Sequence, residues 1–370
     1  MQPPITKPKW KRKKDLFDAI WGYDEAIPLA EIPKEHWMEN ITEQDASGMG
    51  ILHCTAVMGC WEAVPLELLT TGNMCVKDVR GETVYHLLVQ STSGLKTFFA
   101  VAPKELLNEQ CFLEPNYERI TPMHQAARAG NIGLLPASML TEENLRLGNN
   151  EGTTVLHYMF AGDNPTNLFT ETNIQILNRY GVTPLHEAAR LGGLSKIKHL
   201  LTNKALSVKT ADGHTCLHIA ILDCHLDQIP EEFLTIHNAL EPDINLNTPV
   251  HFAARTGQLD QLPSNIVEAS LHVKNRSGST PMHEVAMHGT FDCLPRHLLT
   301  EANLLHSIYN EATPLQMAVD YRNVDQLLGL ELSARCKGTV GESWYKKNLA
   351  AIRDRQHLAQ SDSTTELDLF

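Results

Sequence analysis

What this 370-residue chain does not contain narrows its function before any motif is read. No run of 18 or more residues is apolar, so no membrane-spanning helix is expected. The first residues, MQPPITKPKWKRKK, are basic but lead into no apolar segment, and a secretory signal is therefore not expected. The eight cysteines, at 54, 60, 75, 111, 216, 224, 293 and 336, form no CxxC pair and repeat no disulfide framework. They read as reduced thiols in an intracellular, cytoplasmic compartment, with Cys54, Cys216 and Cys224 acting as small apolar residues; nuclear or host-directed placement is also compatible with the sequence. There is no GxGxxG, GxxxxGKS, GxSxG or HExxH pattern and no paired-carboxylate signature. No catalytic residue, cofactor or metal ligand is nominated, and the chain is expected not to be an enzyme. Lys and Arg (31) are outnumbered by Asp and Glu (44), and the net charge of -13 argues against a nucleic-acid-binding body.

What the chain does contain is a period. Aligned on the residue that closes a TPLH-like tetrapeptide, copies fall at His53, His86, His124, His157, His186, His218, His251 and His283, with Gln316 at the last. The intervals are 33, 38, 33, 29, 32, 33, 32 and 33 residues. A repeat of this length means a stack of small supersecondary units, which can use the whole chain as one elongated array. The best copies are TPMHQAARAG from Thr121, TPLHEAARLG from Thr183, TPVHFAARTG from Thr248 and TPMHEVAMHG from Thr280.

These copies resemble the ankyrin repeat across roughly residues 47–330, which implies an all-α solenoid of stacked helix pairs with short β-hairpin-like finger loops. About nine repeats are expected within 47–332. They follow a basic arm (1–14) and a degenerate N-terminal capping repeat (15–46). A linker and C-terminal helix (333–360) and a frayed tail (361–370) complete the chain. Each repeat has a physical rationale. Threonine caps the first helix, proline fits its first position, an alanine pair lets neighbours approach closely, and glycine ends it. The second half departs from the usual pattern as (L/I)PxxLLTxxN(L/I), with proline at 33, 65, 103, 136, 165, 230, 263 and 295. It predicts a short second helix starting at proline and an extra turn capped by the threonine. Lys196 to Leu201 lacks the proline and predicts a more ordinary second helix. Asn, Asp and Gly in NNEG, TADG and NRSG predict tight turns. The long step carries an insertion, Ser91 to Phe99, expected as a loop.

Eighteen histidines invite metal or acid–base chemistry, but eight are the repeat histidine. Thr121, His124, Thr183, His186, His218, Thr248, His251, Thr280 and His283 are assigned to scaffold, and the other histidines are scattered singly. In ankyrin proteins partners contact finger tips and the exposed residues before the closing glycine. That places the candidate partner face at Arg128, Arg190, Leu222, Arg255, Met287, Asp320 and Tyr321. The arginine row is expected to grip an acidic peptide, because guanidinium pairs well with carboxylate. The function expected is a monomeric, non-catalytic scaffold or adaptor for a protein partner. The alternative is an effector or regulatory adaptor tethered to nucleic acid or an anionic membrane by Lys7–Lys14, where six of eight residues are basic. A solubilising tail is the reading preferred for that arm.

Overall fold

The computed structural model describes residues 32–306 and 312–365, with side chains to Arg353. The basic arm, the first half of the degenerate capping repeat and the last residues of the tail lie outside the described residues. Among the described residues nine first helices follow the period: α1 (Ile51–Met58), α2 (Val84–Leu88), α3 (Pro122–Arg128), α4 (Val155–Tyr158), α5 (Pro184–Arg190), α6 (Cys216–Leu222), α7 (Pro249–Thr256), α8 (Pro281–His288) and α9 (Pro314–Asp320). The chain divides into two compact units, Met1–Glu187 and Ala188–Phe370. No strand occurs among the described residues; two isolated bridges, Gln44 with Gly50 and Gly148 with Thr154, are all that echoes a hairpin.

The first helices start as their sequence dictates. In α3, α7 and α8 proline occupies the first turn behind a threonine cap in extended conformation. Capping is reciprocal. The threonine side chain accepts from the backbone N–H three residues on, and the histidine there accepts from the threonine backbone N–H. Histidine thus does what Glu or Gln does in an ordinary capping box. Inward-facing residues such as Met123, Ala126 and Ala127 of α3, or Val250, Ala253 and Ala254 of α7, are fully buried.

The short helix predicted to start at proline is, in most of the repeats that carry one, a single 3-10 turn. In four repeats a second 3-10 turn precedes the proline, as in Trp61–Ala63, Pro65 and Leu66–Leu68. Proline lacks an N–H and drives the residue before it out of helical conformation; Val64 sits at ψ 126° and Leu135 at ψ 152°. The helix is therefore cut in the middle. Only Lys34–Asn40 and Ser264–Ser270 start a seven-residue α-helix at the proline. Leu194–Leu200, where an ordinary helix was expected for want of proline, is also 3-10 and is broken at Ile197 (φ -126°, ψ 21°).

The TxxN motif then closes five of the second halves. Thr70, Thr141, Thr170, Thr235 and Thr300 each accept from the backbone N–H of the asparagine three residues on. That asparagine donates its Nδ2 back to a carbonyl five residues earlier: Leu68 (2.8 Å), Met139 (2.9 Å), Leu168 (3.0 Å), Phe233 (2.8 Å) and Leu298 (2.6 Å). The latch satisfies a carbonyl that an uninterrupted helix would have paired internally.

The insertion in the long step is a helix, Thr92–Val101, and not a loop. Phe98 on it is fully buried and packs edge-on to Trp61 (4.8 Å between ring centroids) and Tyr85 (6.3 Å). At the other end the expected linker is ordered, with a 3-10 turn Ala334–Cys336 and a helix Lys337–Val340. The final helix runs Glu342–Thr365, into the segment read as tail. Fully buried Asn348 on this helix donates to the Leu330 carbonyl and accepts from the Gly329 N–H, and Trp344 and Lys347 both reach Asp325. The helix caps the last repeat.

Candidate functional site

The repeat histidines are the chain's most frequent titratable motif. In each pair Nδ1 accepts a backbone N–H: Thr83 to His86 at 2.9 Å, Thr183 to His186 at 3.1 Å, Thr248 to His251 at 3.1 Å. On the far side of most of them Nε2 lies against a carbonyl in the next repeat, whereas the buried His124 Nε2 has no hydrogen-bond partner among the described residues. In the first unit His86 meets Ile120 (3.0 Å) and His157 meets Val182 (3.0 Å). In the second, His218 meets Asn247 (3.2 Å), His251 meets Ser279 (3.2 Å) and His283 meets Ala312 (3.0 Å). A backbone N–H can only donate and a carbonyl can only accept, so the imidazole is neutral with its proton on Nε2. Burial pushes His86, His124, His157 and His218 down to about 4, and the carbonyl bonds of His86, His157 and His218 recover part of that shift. These rings are bolts between repeats. Among the described residues no three His, Cys, Asp or Glu side chains converge to hold a metal.

What remains is the surface between fingers and helix ends. Each finger is a turn closed by one side chain. Asp78 Oδ1 accepts from the N–H groups of Arg80 (2.9 Å) and Glu82 (2.8 Å), and Asn149, Asn178, Asp243 and Asn275 repeat the arrangement. These fingers wall one side of a groove in each unit.

In the first unit a groove of about 530 Å³ has Asp78 and Glu82 on its floor and Arg80, Gln125 and Arg128 along it. Asp78 and Glu82 are buried whereas both arginines are exposed. Burial, with Asp78 nearby, raises the Glu82 carboxyl above its usual range. Gln125 Nε2 approaches it at 3.5 Å. The two charges of each sign make this groove neutral overall.

In the second unit a groove of about 500 Å³ is formed by Arg255, Met287, Glu284 and the finger residues Asn245, Arg276 and Ser279. Arg255 is held from two sides. Its Nε donates to Glu284 Oε2 at 3.2 Å, and its guanidinium lies over the Phe252 ring, 5.5 Å from the centroid. Glu284 is only 3 % exposed, so this arginine neutralises a buried carboxylate.

Of the seven residues expected to form the partner face, Arg128, Arg255 and Met287 therefore line these grooves. Arg128 belongs to the first unit, and Arg190 and Arg255 to the second. Arg190 is exposed at the end of α5, Leu222 at the end of α6, and Tyr321 just past α9. Asp320 is exposed and accepts from Gln316 Nε2 at 2.7 Å. Sequence reading missed Arg80, Asn245 and Arg276. The signal was available, since Arg80 and Asn245 directly precede the glycine-like position of a finger and Arg276 stands two residues before Gly278. Their approach to the helix ends, however, depends on stacking.

Residues 185–263 match the family model for ankyrin repeats, in three copies. No curated protein matches the chain. No helix among the described residues is long and apolar enough to cross a membrane.

Proposed function

The chain carries ankyrin repeats, generally protein–protein interaction modules, and from that premise we propose that it is a non-catalytic scaffold or adaptor. It takes a protein partner on the surface between fingers and helix ends. The observation that supports this reading is that the grooves are ordered before any partner arrives. The fingers are closed by their own Asp and Asn side chains, and Arg255 is clamped by Glu284 and Phe252. Binding then immobilises few side chains, which conserves affinity. The remainder of the expected face (Arg190, Leu222, Asp320 and Tyr321) stays part of the proposal as exposed helix-end positions.

The structure alters the obvious test. Arg255→Glu would set a second carboxylate beside buried Glu284 and lose stability for that reason alone. The informative variant is Arg128→Glu with Arg190→Glu, used as bait in affinity capture with mass spectrometry against the unmodified chain. The proteins retained by the unmodified chain are expected to be lost while the far-UV circular dichroism spectrum remains that of the folded chain. The same set retained at equal yield would refute the assignment of these helix ends to partner binding.

A further inference from the structure

We propose that the groove of the second unit is a receptor for an acidic side chain of a partner peptide, read by Arg255 and Arg276. The inference rests on the protein-binding reading and gives its partner a chemistry. Its ground is which groups in the groove are already committed and which are not.

Asn275 is spent. Its Oδ1 accepts from Ser277 and Ser279, and its Nδ2 donates to Asn247 Oδ1 at 2.8 Å. Asn247 in turn gives its Nδ2 to Asp243. Both hold the fingers together. The one carboxylate lining the groove, Glu284, is buried and taken by Arg255, with His288 Nε2 3.6 Å away. Nothing acidic in the lining is left to answer a ligand cation.

The uncommitted groups are all capable of donating. Among the described residues the Arg276 guanidinium, the Asn245 amide and the Ser279 hydroxyl make no side-chain hydrogen bond or ion pair. Arg255 engages Glu284 through Nε, which leaves the outer edge of its guanidinium fork. Two arginines against one spent carboxylate give the groove a positive balance in a chain of net charge -13. A carboxylate seated there meets a fork that is already oriented, the arrangement in which arginine pairs best with planar anions. Met287 lines the same groove, and Ile244 and Leu246, 51 % and 44 % exposed, stand on the finger that carries Asn245. These three supply contacts for an apolar residue beside the acidic one. The groove of the first unit lacks this imbalance, because its two arginines face two carboxylates.

Full-length protein titrated into fluorescein-labelled decapeptides that alternate leucine with glutamate, glutamine, lysine or phosphoserine tests the assignment by anisotropy. The glutamate peptide is expected to bind saturably. Arg276→Glu should weaken it about tenfold or more with no change in thermal midpoint, and paired Arg255→Gln with Glu284→Gln should do likewise. Lys104→Gln, at an exposed lysine of the first unit outside both groove linings, should leave it unchanged. Equal binding of the glutamine or lysine peptide, indifference to Arg276→Glu, or no binding of any peptide would overturn the carboxylate assignment. Tighter binding of the phosphoserine peptide would reassign the groove to phosphate. The capture experiment with Arg128→Glu and Arg190→Glu judges the wider protein-binding reading independently, so the two failures are distinguishable.

Discussion

Arg119 and Leu246 occupy the finger position that glycine takes in Gly81, Gly152, Gly213 and Gly278, and they do so with φ of 59° and 61°. A side chain in the left-handed region costs about 1–2 kcal/mol, while glycine there costs some unfolded-state entropy in exchange. Arg119→Gly and Leu246→Gly should therefore each stabilise the fold by about 0.5–1 kcal/mol net, seen as a higher denaturant midpoint. A lower midpoint would mean that the side chains, and not the backbone, hold these fingers. The Thr183–His186 box is legible in the sequence because both its partners lie within four residues. The pairing of Arg255 with Glu284 is not, because it joins residues 29 apart whose facing depends on how one repeat sits on the next.

At the scale of the element, proline positions were readable and their consequence was not. Periodicity locates Pro65 or Pro136 but does not say that a turn will also form on its N-terminal side and leave two 3-10 turns where one helix was expected. The cut helix depends on its latch. Asn173 is 1 % exposed and serves three ends, accepting from the Thr170 N–H, donating to the Leu168 carbonyl and presenting its own N–H to Thr170 Oγ1. Asn173→Ala should cost about 1–3 kcal/mol by chemical denaturation, because half-buried backbone groups lose the partner that a buried side chain supplied. A near-zero change would show that solvent satisfies them. The shortened repeat is as exacting for another reason. A Cβ on Gly162 would lie 2.5 Å from Gly130 Cα, backbone against backbone. Gly162→Ala should destabilise by about 1–3 kcal/mol in the same assay, as overpacking does. The insertion Ser91–Phe99 misled because its Ser, Thr and Gly look like loop residues. Ser91 is instead the N-cap of the helix, accepting from Gly94, and Phe98 supplies burial that composition alone does not reveal.

For the whole molecule, the neutral histidines set an acid limit. Free in an unfolded chain they titrate near 6.5, whereas His86, His124, His157 and His218 are held at about 4 in the fold. Between those values the unfolded chain binds more protons, so stability falls as pH drops from 6.5 toward 4 and levels off below. Each such histidine is worth on the order of 3 kcal/mol over that window. Denaturant midpoints measured from pH 7.5 to 4.5 should fall, with a slope near pH 5 equivalent to about three protons taken up on unfolding. A flat profile would mean that the rings are already charged and that the Nε2–H assignment is wrong.

The fingers and the latches use the same amide in opposite senses, and this decides how the protein ages. In the fingers Asn149 acts through Oδ1, as acceptor for two backbone N–H groups. Asp78 and Asp243 already perform that task as carboxylates. Spontaneous deamidation to aspartate would leave a finger intact and its acceptor strengthened by charge. In the latches Asn73, Asn144 and Asn303 act through Nδ2 as donors to a carbonyl. There the same chemistry removes the donor and turns a carboxylate toward a carbonyl oxygen. An old preparation should lose its second halves first, with the fingers and the grooves they wall still in place.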